Sequence, residues 1–217
     1  MCGRYTLTTP PSVVAEHFQV PELPNFPPRY NIAPTQQALV VRAGQGRREL
    51  VLLRWGLIPS WAKDPAIGAR MINARAEGIA EKPSFRRAWK EKRCLVPADG
   101  FYEWQKDGKR KQPYYIRRRD GAPFAFAGLW ERWQGGEEIL DTFTIITTAP
   151  NEVIAPIHNR MPVIVPEAAY DRWLDPDERG DPELLVPYPD EELTAYPVST
   201  VVNSPIHDDA RCVEPSG

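Results

Sequence analysis

Strand-like patterns of apolar and polar residues dominate the chain. Residues 38–57 contain two β-rich runs around a Gly-containing turn, which predicts a β-hairpin. Residues 93–133 are rich in aromatic residues and are divided at Asp107-Gly108 and Asp120-Gly121, two dipeptides that favour tight hairpin turns. Further strands are predicted at 140–150, at the end of 150–165 and at 194–203.

Helical patterns are short and do not alternate regularly with the strands. Helices are predicted, with Thr9 and Ser84 as N-caps of the first two, at 9–18, 84–93, 166–174 and 181–185. Because regular strand–helix alternation is missing, the pattern does not favour a parallel sheet. We expect one α+β domain over residues 2–205, with a mainly antiparallel, curled or barrel-like sheet and a few peripheral helices, and a flexible tail at 206–217.

The composition is that of an ordinary globular domain. Of 217 residues, 42% are hydrophobic and 26% are charged, and no apolar run reaches the roughly 18 residues of a membrane span. No signal peptide is visible at the start. Cys2, Cys94 and Cys212 are odd in number and far apart, which favours reduced thiols in a cytosol-like compartment over a disulfide framework.

The charge is divided unevenly along the chain. Residues 1–166 carry 24 Lys and Arg against 16 Asp and Glu, a net charge of +8, whereas residues 167–217 carry 3 against 13, a net charge of −10. A positive body can bind phosphates, and an acidic end can limit indiscriminate binding. The same runs are also typical of solvated surfaces, and charge alone leaves both interpretations open.

Cys2 directly follows the initiator methionine, and a small residue there favours removal of Met1. The α-amine of the new first residue would have a pKa of about 7.7–8.0, so that part of it is neutral at pH 7. An amine and a thiol two carbons apart react with an aldehyde to form a thiazolidine ring. Alternatively, Cys2 is simply buried as a small apolar residue.

Three internal segments place polar residues in apolar surroundings. Asn73 and Arg75 lie two apart in "RMINARAEG", on the same side if that segment is extended. Glu103 lies between aromatic residues in "GFYEW", where its pKa would be raised into the range of an acid–base catalyst. His158 follows a Pro-bounded turn in "APIHNRMP". Each also has a structural interpretation: a turn cap for Asn73, a surface ion pair for Glu103 and a satisfied loop histidine for His158.

Cofactor-binding and metal-binding patterns are not found in the sequence. No Cys/His pair has the spacing of zinc ligands, and no phosphate-binding Gly loop or dinucleotide fingerprint occurs. We therefore predict neither a metal nor a cofactor. Trp55 and Trp61 lie in the loop-like segment "RWGLIPSWAKD". They are interpreted either as core residues or as platforms on which nucleobases stack.

Eight segments together resemble the SRAP family (SOS-response-associated peptidase), whose members are also called abasic-site processing proteins. The resemblance covers about residues 2–200 in order. The segments are "MCGRY" (1–5), "YNIAPTQ" (30–36), "WGLIPSWAKD" (55–64), "INARAE" (72–77), "CLVPADGFYEW" (94–104), "FAFAGLW" (124–130), "TIITTAPN" (144–151) and "IHNRMPVIV" (157–165).

The resemblance implies a function and four site residues. Members of the family bind single-stranded DNA and react with abasic sites through an N-terminal cysteine, which forms a thiazolidine. The catalytic residues of the family correspond here to Cys2, Asn73, Glu103 and His158. The resemblance also implies a protein–DNA crosslink that shields the lesion. With it we expect weak lyase activity and a peptidase activity that processes the protein's own N-terminus.

The DNA contacts are predicted from residue type. Arg4, Arg75 and Arg160 are candidates for phosphate contacts, and Trp61 and Trp104 are candidates for stacking on bases. We expect a monomer whose partner is single-stranded DNA with abasic sites, with no membrane partner. Its expected location is cytoplasmic, on the nucleoid when DNA is bound.

Two alternatives belong to other classes. The first is a peptidase or amidase with Cys2 as N-terminal nucleophile and His158 or the α-amine as base. The second is a nucleic-acid-binding module without catalytic activity, which rests on the basic body and the tryptophans.

Overall fold

Two β-sheets form most of the computed structural model, which describes residues 2–21, 26–108 and 110–216. In chain order the strands are β1 (Tyr5–Leu7), β2 (Arg29–Ile32), β3 (Gln37–Ala43), β4 (Arg48–Trp55), β5 (Asn73–Arg75), β6 (Arg93–Ala98), β7 (Gly100–Asp107), β8 (Arg110–Arg118), β9 (Phe124–Gly135), β10 (Glu138–Thr148), β11 (Met161–Pro162), β12 (Ile164–Val165) and β13 (Leu193–Pro197). The α-helices are α1 (Pro11–Phe18), α2 (Arg86–Glu91) and α3 (Tyr170–Leu174). Short 3₁₀ helices lie at Pro65–Arg70, Glu167–Ala169, Pro182–Leu184, Asp190–Glu192, Thr200–Asn203 and Ala210–Cys212.

The larger sheet closes on itself as a five-stranded barrel. Its strands pair in the ring β10-β4-β3-β6-β9 and back to β10. Closure removes the exposed edges of these strands, and only the β4–β10 pair in the ring is parallel. The α+β class and the barrel-like, mainly antiparallel sheet predicted from the sequence are therefore confirmed.

The smaller sheet has the strand order β13-β8-β7-β1-β2 and packs against the barrel. Tyr5 of β1 and Phe101 of β7 both meet Phe126 of β9, with ring centroids 5.7 and 5.8 Å apart, in edge-on geometry. Buried aromatic pairs of this kind stabilise an interface beyond their area alone. The first residue of β7 is Gly100, and any larger residue would clash there because its Cβ atom would lie 2.1 Å from the Tyr115 hydroxyl.

Local sequence signals account for the hairpins better than for the caps. Gly108 (φ +56°) and Gly121 (φ +73°) adopt the left-handed conformation at the two predicted turns, where glycine is unstrained. Helix α1 begins after Pro10 and α2 after Phe85, and neither has a side-chain N-cap, so the predicted caps Thr9 and Ser84 are wrong. Thr9 instead donates its N–H and its hydroxyl to Asp99.

The end of the described chain packs against the body of the protein. The Asp208 carboxylate accepts hydrogen bonds from Tyr30 N (2.5 Å) and Asn31 N (2.9 Å), and Asn31 Nδ2 donates to His207 O (2.7 Å). The Cys212 side chain is fully buried. The sequence predicts a flexible tail at 206–217, whereas residues 207–208 and 212 are packed in the structure. The sequence does not indicate these contacts because Asp208 and its partner Asn31 lie far apart along the chain. The domain bounds themselves stay a prediction.

No helix among the described residues has the length and apolar character needed to cross a bilayer.

Candidate functional site

The start of the chain is held in the smaller sheet next to β7. Strand β1 pairs with β7 so that Tyr5 lies opposite Phe101, and Tyr102 N–H donates to Arg4 O (3.0 Å). Cys2 is fully buried, and its Sγ lies 4.0 Å from Arg4 O. A cysteine at the second position, where chains commonly fray, is thus fixed by the fold. Removal of Met1 concerns a residue outside the described ranges.

Asp99 anchors the segment that follows Cys2. Its Oδ2 accepts hydrogen bonds from the backbone N–H groups and the hydroxyls of Thr8 and Thr9, at 2.5–2.9 Å. Its Oδ1 accepts from the Thr6 hydroxyl at 2.5 Å. Sequence reasoning missed Asp99, although an acidic residue in "LVPADGF" and the threonines of "TLTTP" were available as signals.

Arg4 fixes the same strand from the other end. Its Nη1 donates to Val202 O (2.7 Å) and to Asn31 Oδ1 (3.3 Å), and its Nη2 donates to Asn203 O (3.2 Å). The guanidinium predicted to contact a DNA phosphate is therefore engaged with acceptors of the protein, mostly on the 3₁₀ helix Thr200–Asn203.

Glu103 lies on β7 beside the start of the chain. Only 1% of the residue is exposed. Burial raises the pKa of its carboxyl from 4.5 to about 7, and the positive charge of the chain's α-amino group partly opposes this rise. Burial, and secondly the negative charge of Glu103, raises the pKa of the Cys2 thiol well above its usual range. Glu103 is therefore close enough to Cys2 for its charge to influence the ionisation of the thiol.

Asn73 begins β5, which pairs in parallel with the end of β10. It lies opposite Ile145, and its Nδ2 donates to Ile145 O (3.4 Å). Its Oδ1 is buried and accepts no hydrogen bond from the described residues. A buried amide oxygen without a donor costs free energy, so this oxygen is suited to accept a hydrogen bond from a ligand.

His158 follows a short turned segment and is partly buried. The turn is closed by the bonds Ala155 N to Asn151 O (2.9 Å) and His158 N to Ile154 O (2.8 Å). Arg160 N lies 3.0 Å from His158 Nδ1, and Arg160 O lies 3.2 Å from it. Because an amide N–H can only donate, Nδ1 accepts in the shorter contact, and the proton of the neutral ring is on Nε2.

The pKa of His158 is lowered, which favours the neutral form of the ring. Burial lowers the pKa of His158, and the positive charges of the α-amino group, Lys106 and Arg160 also lower it. Near neutral pH the ring therefore offers an Nε2–H donor.

Arg160 and Arg75 lie near the same end of β10 as Asn73, beside Thr147. Arg160 forms a bidentate ion pair with Glu77, with Nη1–Oε1 at 2.7 Å and Nη2–Oε2 at 2.9 Å, and it also donates to Thr147 O (2.5 Å). The Arg75 side chain is exposed at the end of β5 and makes no hydrogen bond or ion pair with the residues described. Of the three arginines predicted to contact phosphates, Arg75 alone has its guanidinium open to solvent in the described ranges.

The two candidate stacking residues have different surroundings. Trp61 is 59% exposed and borders a pocket of about 370 Å³ with Arg86 and Arg87. Trp104 is partly buried, and its Nε1 donates to Asn203 Oδ1 (2.7 Å). Trp55 is a core residue stacked on Phe143 at 6.2 Å.

The structure brings the predicted site residues to two neighbouring places. The first, the buried side of the site, consists of Cys2, which precedes β1, and Glu103 on β7. The second, the polar side, consists of β5 and residues 158–160, which flank the end of β10. Gln105 Nε2 on β7 donates to Pro156 O (3.0 Å) and so links the two, and a pocket of about 330 Å³ lies between Trp104, Lys106 and His158.

No cluster of three His, Cys, Asp or Glu side chains that could hold a metal ion is found in the part of the chain that the structure describes.

Comparisons with known proteins agree on one family. The sequence model of the family "SOS response associated peptidase (SRAP)" matches residues 1–205. The chain is 46% identical over 223 residues to "Abasic site processing protein YoqW" of Bacillus subtilis (strain 168), with 99% of each chain covered. It is 31% identical to "Abasic site processing protein HMCES" of Xenopus tropicalis, covering 98% of this chain and 78% of the relative. A crystal structure of a protein from Bacteroides thetaiotaomicron matches with a TM-score of 0.89 and 30% identity, covering 99% of this chain and all of the other.

Proposed function

The chain belongs to the SOS response associated peptidase family, and from this premise we propose that it processes abasic sites in single-stranded DNA by a covalent link through Cys2. The names of the relatives support the abasic-site role. The proposal assigns Cys2, Glu103, His158 and Asn73 to the chemistry and the exposed cations to DNA.

The bond-forming steps start from a chain that has lost Met1. The neutral α-amine of Cys2 attacks the aldehyde carbon of the ring-opened sugar, and loss of one water gives a Schiff base. The Cys2 sulfur then adds to the same carbon, and the thiol proton passes to a base. The products are a thiazolidine and one water, so no further reactant is required.

Glu103 is suited to move these protons. A carboxyl with a pKa of about 7 is divided between its two protonation states at neutral pH, which is the condition for efficient acid–base catalysis. Its carboxylate can accept the proton of the thiol, whose raised pKa keeps it protonated until it reacts.

The polar side supplies uncharged hydrogen bonds. The Nε2–H of neutral His158 can donate to the sugar oxygen as the ring opens. The Oδ1 of Asn73, which accepts no hydrogen bond from the residues that the structure describes, can accept one from a sugar hydroxyl or from the reacting nitrogen. Exposed Arg75 and Trp61 are available to a strand that carries the lesion. Single-stranded DNA is favoured because an unpaired lesion can reach a recessed thiol without the cost of unpairing.

The proposal also predicts the fate of the lesion. A closed ring protects the sugar from β-elimination, so the strand stays intact while the protein is attached. The Schiff base that precedes ring closure is open to elimination, from which we expect a weak lyase activity. Exposure of Cys2 by removal of Met1 is the form that we propose for the peptidase activity.

The observation that carries the proposal is the burial of Glu103, whose pKa is near 7 and whose charge raises the pKa of the equally buried thiol at position 2. The test is incubation with a single-stranded oligonucleotide that contains one abasic site, followed by a denaturing gel. The wild-type protein and a Cys94→Ala control, which removes another buried thiol, should give a shifted band, and Cys2→Ala should give none. A band that survives Cys2→Ala would contradict the proposal.

The peptidase in the family's description supports a second candidate, in which Cys2 attacks an amide carbonyl. Burial beside a carboxylate disfavours the thiolate that this attack requires. An acyl-enzyme formed with amide substrates, without any DNA, would support this candidate.

A further inference from the structure

Glu77 holds the guanidinium of Arg160 with both of its carboxylate oxygens. The two contacts are parallel, at 2.7 and 2.9 Å, and the Arg160 side chain is also fixed by Thr147 O. The two partners differ in exposure, since 13% of the Arg160 side chain is accessible against 61% of the Glu77 side chain. The arginine is thus the fixed partner, and the carboxylate lies on the solvent side.

Arg75 gives Glu77 a second cationic neighbour. The two residues are two apart at the end of β5, and Arg75 has an exposed side chain. The hydrogen bond from Arg160 is the main cause that lowers the pKa of Glu77, and the charge of Arg75 lowers it as well. One carboxylate therefore interacts with two of the three arginines that are candidates for phosphate contacts.

A carboxylate and a phosphate bind an arginine fork in the same bidentate geometry. We propose that Glu77 is an internal substitute for a DNA phosphate, which occupies Arg160 in the free protein and is displaced by a backbone phosphate when a strand binds. The inference rests on the proposed function, because it requires single-stranded DNA at this site.

The consequence is a weaker affinity for intact strands. Because the Glu77 carboxylate is exposed to solvent, its ion pair with Arg160 contributes little net stability and can be displaced, but each strand that binds must offset this loss. An intact strand has only non-covalent contacts to offset this cost. A strand with an abasic site also forms a covalent bond, so competition by Glu77 selects against undamaged DNA.

The test measures non-covalent binding of an undamaged, fluorescently labelled single-stranded oligonucleotide. Glu77→Gln keeps the shape of the side chain and removes the competing charge. The dissociation constant should fall about fivefold, since exposed ion pairs of this kind account for up to about that factor. Loss of folding cannot imitate a gain in affinity.

Glu81→Gln is the matched control. Glu81 is exposed on the same segment and forms no ion pair with the residues that the structure describes, so its removal changes the net charge equally without freeing Arg160. Glu81→Gln should leave the dissociation constant nearly unchanged. Equal effects of the two variants, or weaker binding by Glu77→Gln, would overturn the inference.

A second arm tests the anion site itself. Inorganic phosphate, added at constant ionic strength, should weaken oligonucleotide binding to Glu77→Gln more than to the wild type, because the vacated fork accepts either phosphate. Equal weakening would contradict an anion site at Arg160. If the wild type binds no single-stranded DNA at all, the proposed function itself fails, which is a distinct result.

Discussion

The buried and polar sides of the candidate site differ in burial, charge and hydrogen bonding. On the buried side, Cys2 and Glu103 are at most 1% exposed, and burial raises the pKa of both. On the polar side, Asn73 and His158 are partly buried and Arg75 is exposed. Bond formation requires shifted proton affinities, which burial supplies, whereas an extended charged strand requires accessible cations. In the proposed function the proton transfers therefore belong to the buried side, whereas the polar side supplies the uncharged hydrogen bonds of Asn73 and His158 and the exposed cation for DNA.

The two sides are also anchored differently. The segment that begins with Cys2 is fixed by the hydrogen bonds of Asp99 with residues 6–9 and of Arg4 with residues 202–203. The polar side depends on the ion pair between Glu77 and Arg160, one of whose partners is exposed. We expect substitutions of Cys2 and Glu103 to alter the reaction rate, and substitutions of Arg75 and Glu77 to alter the affinity for DNA.

The largest effect is expected from Glu103→Gln. Removal of the ionisable group should slow crosslinking by about 100-fold or more, the usual contribution of a positioned acid–base group. The rate of the wild-type reaction should change with pH around 7, and that inflection should disappear in the variant. Single-turnover rates at saturating DNA measure both, and an unchanged rate would remove Glu103 from the mechanism.

The same variant should be more stable than the wild type above pH 7. The folded pKa of Glu103 is raised from 4.5 to about 7, so its contribution to stability is present below pH 4.5 and is lost as the pH rises to about 7. Glu103→Gln lacks this loss, so its melting temperature should decline less over that interval. If the melting temperatures of the wild type and the variant declined equally over this pH range, the raised pKa of Glu103 would be contradicted.

A smaller effect is expected from Asp99→Asn. The amide has one acceptor oxygen where the carboxylate has two, so either the N–H groups of Thr8 and Thr9 or the Thr6 hydroxyl lose their acceptor, at a cost of about 1–3 kcal/mol. The free energy of unfolding should fall by that amount and crosslinking should slow, with little change in the affinity for DNA. Asp120→Asn is the control, because the Asp120 carboxylate accepts a hydrogen bond from Ala122 N in a surface turn. This variant should leave the crosslinking rate unchanged.

The smallest effect is expected from Arg75→Ala. Loss of one phosphate contact should weaken binding a few-fold and reduce the slope of log K against log salt by about 0.7. Titrations of an undamaged oligonucleotide at several salt concentrations measure both quantities. A lower rate at saturating DNA, with an unchanged salt slope, would mean that Arg75 acts in the chemistry instead.

Much of the fold follows from local signals, but the closure of the barrel does not. The Asp-Gly dipeptides predict the turns at Gly108 and Gly121 because glycine tolerates a positive φ. The parallel pairing of β4 with β10 joins residues almost 90 positions apart, and no local pattern indicates it. Strand β13 also ends at Pro197, earlier than the predicted 203, because the 3₁₀ helix Thr200–Asn203 follows.

The candidate site also combines features that local sequence signals indicate with contacts between distant segments that they do not. The aromatic neighbours of Glu103 indicate a raised pKa, and the position of Cys2 indicates an aminothiol. The partners of Arg4 and Arg160 come from segments about 200 and 80 residues away, so the sequence could not reveal that both guanidinium groups are already occupied. Asp99 was missed for the same reason.

The central claim is that Cys2, freed as the first residue, closes a ring on the aldehyde of an abasic site. Intact and peptide mass spectrometry of the protein after reaction with an abasic oligonucleotide tests it most directly. We predict an adduct on residue 2 of a chain without Met1, with the mass of protein plus oligonucleotide less one water. An adduct on another residue, an adduct on a chain that retains Met1, or a Met1-free chain that leaves the lesion unreacted would contradict it.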